Sequence, residues 1–252
     1  MSTKNQLSLE DQSQKNSKLA ARALSLNLPL GGVDSHAHLD DIQYANDFAQ
    51  VMERAYAAGV AYIGNVFLSA QSWQAERGRF FATHLRWPEV FFQLGIHPTE
   101  ENLWNEVEQA AISEAVFEDN TIKAIGEIGL DYYWKDQPAA LQKEVFAAQL
   151  KLAKKLDLPV SIHCREAEQD TLAILQNQGF RDYPLLWHCF GGDASLAQHI
   201  LDQGWHISVP GTVSFKKNFA LREALPLVPL NRLHLETDCP YLAPEPFRGK
   251  RN

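Results

Sequence analysis

Residues 122–165 read IKAIGEIGLDYYWKDQPAALQKEVFAAQLKLAKKLDLPVSIHCR. Two short apolar, β-branched runs near 122–127 and 159–164 flank an amphipathic run near 138–157, the pattern of one strand–helix–strand unit of a parallel sheet. The same alternation extends in both directions from Gly32 onward. It predicts strands near 33–37, 60–66, 90–96, 122–127, 159–164, 185–189, 205–210 and 233–237. Helices are predicted near 45–58, 70–84, 102–119, 138–157, 167–179, 193–203 and 218–227, three of them stopping at Gly59, Gly179 or Gly204. Eight such strands in 252 residues predict an α/β fold of the TIM-type (β/α)8 barrel class. Only seven helical patterns accompany them, so the barrel is expected to lack its last outer helix, leaving part of one outer face exposed. A truncated or incompletely represented sequence is the explanation this predicts.

The composition, 45% hydrophobic and 21% charged, suits one large core, and residues 31–252 are read as a single barrel domain, short at its C-terminal end. Residues 1–30, rich in Ser, Gln, Asn and Lys, are read as a polar N-terminal arm or short capping helix. No run of about 20 apolar residues is present to span a bilayer. The apolar stretch near the N-terminus is cut by Arg22 and lacks a small-residue cleavage signal, so export and membrane partners are not expected. Three cysteines, Cys164, Cys189 and Cys239, are too few for a disulfide framework and predict a reducing cytoplasm. Strand alternation turns each away from the residue before it, towards the surrounding helices, as a small buried hydrophobe. A formal charge of −8 excludes a broad basic coat for nucleic acid. It leaves room for a phosphate substrate, because bound divalent metal inverts the charge of a pocket.

The first strand ends in Val33-Asp34-Ser35-His36-Ala37-His38. Side chains two apart on a strand point the same way, so His36 and His38 can grip one ion, although such a pair alone is weak evidence. Glu127, His163, His188 and Asp238 stand at the ends of the fourth, fifth, sixth and eighth strands. In this fold the C-terminal strand ends build the active site. Four histidines and two carboxylates buried together are costly without a cation. They suit two divalent ions, commonly about 3.5–4 Å apart, with a carboxylate between them.

The ordered motifs DSHAHLDD, GIHP, GEIGLDYYW, PVSIHCREA, HCFGG and ETDCPYLAP, the last followed by RGKRN, resemble the TatD family of metal-dependent deoxyribonucleases within the amidohydrolase-like barrel superfamily. The resemblance runs from about residue 31 to the end. It implies that His36, His38, Glu127 and Asp238 hold one metal, and that Glu127, His163 and His188 hold another, with Glu127 bridging. It implies a two-metal hydrolase of phosphodiester bonds, a 3′ to 5′ exonuclease on DNA that prefers single strands. Mg, Mn or Zn would serve as the pair of ions. Cys239 stands where the family often has Ser or Ala, and Phe247 precedes Arg248 where a histidine is frequent. The family also continues past RGKRN through further helix, and the full-length form is expected to be a monomer.

Asp238 is the candidate to orient or deprotonate the attacking water, and Glu127 the bridging carboxylate at the catalytic centre. Arg165 is placed to make a bidentate phosphate contact, and His97 to hydrogen-bond substrate or a carboxylate near the ligands. Tyr132, Tyr133 and Trp134 either stack on a base or form a hydrophobic plug. Asp34 either orients a ligand histidine or caps its strand end, and Asp131 either bonds a ligand or forms a turn. His84, His199, His206 and His234 fall away from the catalytic end and are read without a chemical role. Two other functions fit the same residues: a carboxylic ester or amide hydrolase, such as an aminoacyl-ester deacylase or lactonase, and a truncated barrel that no longer catalyses.

Overall fold

A computed structural model describes residues 31–81, 87–134 and 138–252. The predicted arm over residues 1–30 and His84 lie outside the described residues. The strands are β1 (Gly32–Ala37), β2 (Val60–Phe67), β3 (Glu89–Leu94), β4 (Ile122–Asp131), β5 (Val160–Arg165), β6 (Leu185–Trp187), β7 (His206–Val209) and β8 (Leu233–Leu235). They pair in parallel in chain order, β1 to β8, as the alternating pattern requires. The helices between them are α1 (Phe48–Ala57), α2 (Ala70–Glu76), α3 (Glu106–Glu118), α4 (Ala139–Leu156), α5 (Glu168–Asn177), α6 (Ala194–Asp202) and α7 (Phe219–Ala224). The result is a nearly closed TIM (β/α)8 barrel.

Local chemistry sets the element ends. The Ser69, Asn105 and Asp193 side chains accept amide hydrogen bonds at the starts of α2, α3 and α6, replacing partners that a first turn lacks. Asn105 also explains why α3 begins at Glu106 rather than near 102; residues 101–103 form a separate 3-10 turn. Strand β4 runs past its predicted end at Glu127 because Gly129, Leu130 and Asp131 continue in register with His163, Cys164 and Arg165. Strand β6 stops at Trp187, short of the predicted Cys189, whose φ of 48° leaves the extended region.

Strand residues such as Ile125, Ile128, Leu130, Val160 and Ile162 are buried, as expected for a parallel sheet covered by helices. Phe67, Phe80 and Phe92 pack edge to face with centroids 5.2–5.9 Å apart between sheet and helices. Burying each such ring contributes about 1.5–3 kcal/mol. Among the described residues no helix follows β8, and the outward side chains Leu235 and Val33 are 64% and 47% exposed. Among the described residues, the face that no helix covers falls where the helix count predicts it.

Strands β1 and β8 meet without a ladder of their own among the described residues. Residues beyond β8 close the seam instead, with Asp238 N donating to His36 O at 2.9 Å and His38 N donating to Cys239 O at 2.8 Å. The last residues fold back over the same region. Tyr44 Oη donates to Asn252 O at 2.8 Å, and Arg251 pairs with Asp47.

Candidate metal centre

Six predicted ligands converge at the C-terminal ends of the strands. Glu127 stands at their centre, with its two oxygens facing different groups. Oε2 lies 3.3 Å from His36 Nε2 and 3.6 Å from His38 Nε2, and both nitrogens are 3.5–3.8 Å from Asp238 Oδ1. Oε1 lies 2.5 Å from His163 Nδ1 and 2.6 Å from His188 Nε2. The rings of His36 and His188 stack in parallel, centroids 3.9 Å apart.

The backbone makes this possible through glycine. Gly129 has a φ of 152°, and a Cβ there would collide with the carbonyl oxygen of His163 on the neighbouring strand. A Cβ on Gly126 would lie 2.6 Å from the Cβ of Ser161. Strands β4 and β5 thus approach closely enough to set Glu127 against His163 only because the GEIG sequence offers no side chains there.

The electrostatics fit a cation. Burial opposes ionisation of Glu127, yet the neighbouring His188, His163 and His97 hold its carboxyl well below the usual range. His163 and His188 are pushed up, Glu127 outweighing the burial that opposes their charge. His36 is pushed down, chiefly by burial and then by the charge of His188. Protons on the rings thus supply the positive charge that balances buried carboxylates. A divalent ion would replace them with coordination bonds, which is the fit expected of nitrogen and oxygen donors lying within 4.8 Å of one another. The His36 and His188 Nε2 atoms point to the common centre, while their buried Nδ1 atoms have no hydrogen-bond partner.

The flanking residues define roles that the sequence left open. Asp131 does both things expected of it: Oδ2 faces His163 Nε2 at 3.0 Å, while Oδ1 accepts the amides of Tyr133 and Trp134. With Nε2–H bonded to Asp131, Nδ1 of His163 is the nitrogen left to face Glu127 and any cation held there. Asp34 does not touch a ligand ring; it accepts the amides of His36 and Thr237 and the Thr237 hydroxyl. His97 joins the cluster, Nε2 lying 3.3 Å from His163 Nδ1 and 3.7 Å from Glu127 Oε1. Its Nδ1 accepts the Thr99 amide, which leaves the ring proton on Nε2. Burial and the nearby His163 push its pKa down to about 3. His97 is therefore neutral, and with Asp131 and His163 it forms a further group of donors close enough to hold a metal ion.

A cavity of about 1090 Å3 opens over the cluster, and Arg165 and Trp134 line it. Arg165 is exposed and lies over the Tyr133 ring, 3.6 Å from its centroid. Tyr132 departs from its expected place. Its hydroxyl donates to Asp170 on α5 at 2.7 Å, its ring packs against the core, and it is not among the cavity-lining residues. Strand β4 ends at Asp131, and the turn that follows sends Tyr132 and Trp134 in different directions. The cysteines divide. Cys164 Sγ accepts from Thr171 on α5 at 3.4 Å, and Cys239 is buried. Cys189, past the end of β6, lines the cavity, and so does Cys164 despite its place within β5. Burial raises the thiol pKa of Cys164 to about 12 and of Cys239 to about 11, which favours the protonated thiol at neutral pH. His199 lies exposed on α6, and His206 and His234 pair with each other at 2.8 Å at the opposite end of the barrel.

Three supporting residues escape a strand-end search. Gln142 and Gln149 on α4 are buried, and each amide makes two hydrogen bonds, to Asp131 and Ile96 backbone respectively, at 2.8–2.9 Å. Two glutamines seven residues apart on an otherwise apolar helix face were the available signal. Glu236 is also buried, and its carboxylate accepts Cys189 N at 2.6 Å and Ser208 Oγ at 2.5 Å. Its signal was its place two residues before Asp238.

The family model described as TatD related DNase matches residues 33–252. The chain is 37% identical over 219 residues to the "Uncharacterized metal-dependent hydrolase YabD" of Bacillus subtilis (strain 168), covering 87% of this chain and 84% of that protein. It is 33% identical over 219 residues to the "3'-5' ssDNA/RNA exonuclease TatD" of Citrobacter rodentium, covering 86% and 81%. Among solved structures, a TatD homologue of Escherichia coli K12 superposes with a TM-score of 0.78 at 29% identity, covering 88% of this chain and 84% of that one.

Proposed function

The chain belongs to the TatD-related DNase family of metal-dependent hydrolases, and from that premise we propose that it is a two-metal phosphodiesterase removing nucleotides from the 3′ end of single-stranded DNA. The observation that carries the reading is the division of Glu127, each oxygen serving a separate donor group. Divalent ions held there would supply Lewis acidity and a water acidic enough to attack at neutral pH. His36, His38, Asp238 and Glu127 hold one ion in this proposal, and Glu127, His163 and His188 the other.

Asp238 lines the cavity, and its carboxyl lies below the usual range because the nearby histidines outweigh burial. Ionised, it accepts a hydrogen bond from the attacking water and then its proton. Arg165 grips the phosphate, its guanidinium held flat by Tyr133. His97 Nε2–H donates to a phosphoryl oxygen or to Glu127. Trp134, Tyr241 and Phe215 around the cavity offer faces on which unstacked bases rest, which favours a single strand. We assign the reaction to the cytoplasm, where the free thiols of Cys164, Cys189 and Cys239 remain reduced. Among the described residues no helix is long and apolar enough to cross a membrane.

The test is a substrate panel with Mg, Mn or Zn: 5′-labelled single-stranded and duplex DNA, RNA, an aryl ester and an aminoacyl ester. Stepwise shortening of single-stranded DNA from its 3′ end, abolished by chelator, is expected. Turnover of only the carboxylic esters would reassign the site to acyl chemistry.

A further inference from the structure

We propose that Glu236 is a positioning residue for His188, holding the imidazole with its proton on Nδ1 so that Nε2, beside Glu127, is the nitrogen that takes the metal. Glu236 has a fully buried side chain with two donors aimed at it, Ser208 Oγ–H on one oxygen and the Cys189 amide on the other. Both contacts treat the carboxyl oxygens as acceptors. Its Oε2 lies 3.8 Å from His188 Nδ1, which is buried and has no hydrogen-bond partner. A shift of under about 1 Å brings that pair to hydrogen-bonding distance. Any proton shared between the two belongs to the imidazole.

Glu236 acts on His188 through two handles. One is the ring nitrogen; the other is the backbone immediately after it, since the Cys189 amide, in a residue with φ of 48°, is anchored on Oε1. At His163 the same relationship already stands at 3.0 Å with Asp131. The two histidines nearest Glu127 Oε1 would thus each be backed by a carboxylate on the far ring nitrogen, with opposite tautomers: Nε2–H in His163 and Nδ1–H in His188. Such partners orient the ring and raise its basicity as a ligand.

The inference rests on His188 being a metal ligand, and its test uses no substrate. Protein labelled with 15N-histidine is loaded with cadmium-113, and zinc affinity is measured by competition with a chromophoric chelator. Cadmium coupling to His188 Nε2 and a slowly exchanging Nδ1–H proton are expected. Glu236→Gln, which cannot accept the Cys189 amide at one end and Ser208 with His188 at the other as the carboxylate can, should lower zinc affinity about 10- to 100-fold and lose the slow exchange. Ser208→Ala should keep the Nδ1–H signal, because the carboxylate remains. Cadmium on Nδ1, or an unchanged affinity and proton signal in Glu236→Gln, overturns the assignment. If Glu236→Gln does not fold, the unmodified protein decides: a fast-exchanging Nδ1–H there overturns it. A protein that binds metal this way yet leaves DNA intact would defeat the proposed function and leave this inference standing.

Discussion

Asp34 and Thr237 stand 203 residues apart and are joined twice, Thr237 N donating to Oδ1 at 2.9 Å and Thr237 Oγ1 donating to Oδ2 at 2.7 Å. The pair clasps the seam between the first and last strands, two residues from His36 and one from Asp238. The relative placement of His36 and Asp238 therefore depends on this pair of side chains.

That clasp carries a pH signature. Burial pushes the Asp34 carboxyl up from 3.8 to about 6, with Glu236 adding to it and the hydrogen bonds from Thr237 and His36 opposing. A raised folded-state pKa means that the stabilisation is complete below about 4 and is lost as pH rises through about 6. Asp34→Asn keeps the amide acceptor and removes the buried charge. It should stabilise the metal-free protein by roughly 1–3 kcal/mol at pH 8 and abolish this part of the pH dependence between about 4 and 6. Urea unfolding at a series of pH values is the check; identical slopes in both proteins would contradict it.

Glu127→Gln nearly preserves volume while removing the charge that both donor groups face. Loss of at least one bound metal and a fall in turnover of several orders of magnitude are expected. Metal content by atomic emission and single-turnover rates measure the two effects. Normal activity with two ions bound would remove Glu127 from the bridge.

Arg165→Lys retains the charge but loses the planar fork and its stacking on Tyr133. Phosphodiester hydrolysis should fall by about 10-fold or more, corresponding to about 1.4 kcal/mol or more, while a neutral aryl ester should be turned over nearly as before. Equal losses on the two substrates would mark Arg165 as structural.

Gly129→Ala tests the close approach of the fourth and fifth strands. The new Cβ meets the His163 carbonyl at a φ of 152°. A loss of roughly 3 kcal/mol or more is expected, because neither the strain nor the collision can relax without breaking the ladder. Denaturant titration of the metal-free protein reads it directly; a midpoint close to the parent's would show that the strands can separate.

Much of this molecule is written locally. Among the described residues, apolar runs alternating with amphipathic ones dictate the eight strands, the seven helices and the face beyond the last strand that no helix covers, because periods of 2 and 3.6 residues need only neighbours in sequence. The placing of His36 and His38 follows from the same alternation, and that of the remaining candidate ligands from standing at strand ends. Where a strand stops, that logic stops with it. Cys189 and Tyr132 lie just past the ends of their strands, and only the chain's actual turn sends one into the cavity and the other towards Asp170. Likewise, nothing near residue 127 says which carboxylate oxygen meets which histidine, nor does helix α4 announce that Gln142 and Gln149 will carry the backbone of two strand ends. Sequence determined the barrel and its ligand types, since those depend on side-chain period and donor chemistry. Tertiary structure decided the pairing of Asp34 with Thr237, Glu236 with Cys189 and Glu127 with two histidine groups, because each joins segments brought together only by strand register and closure of the sheet.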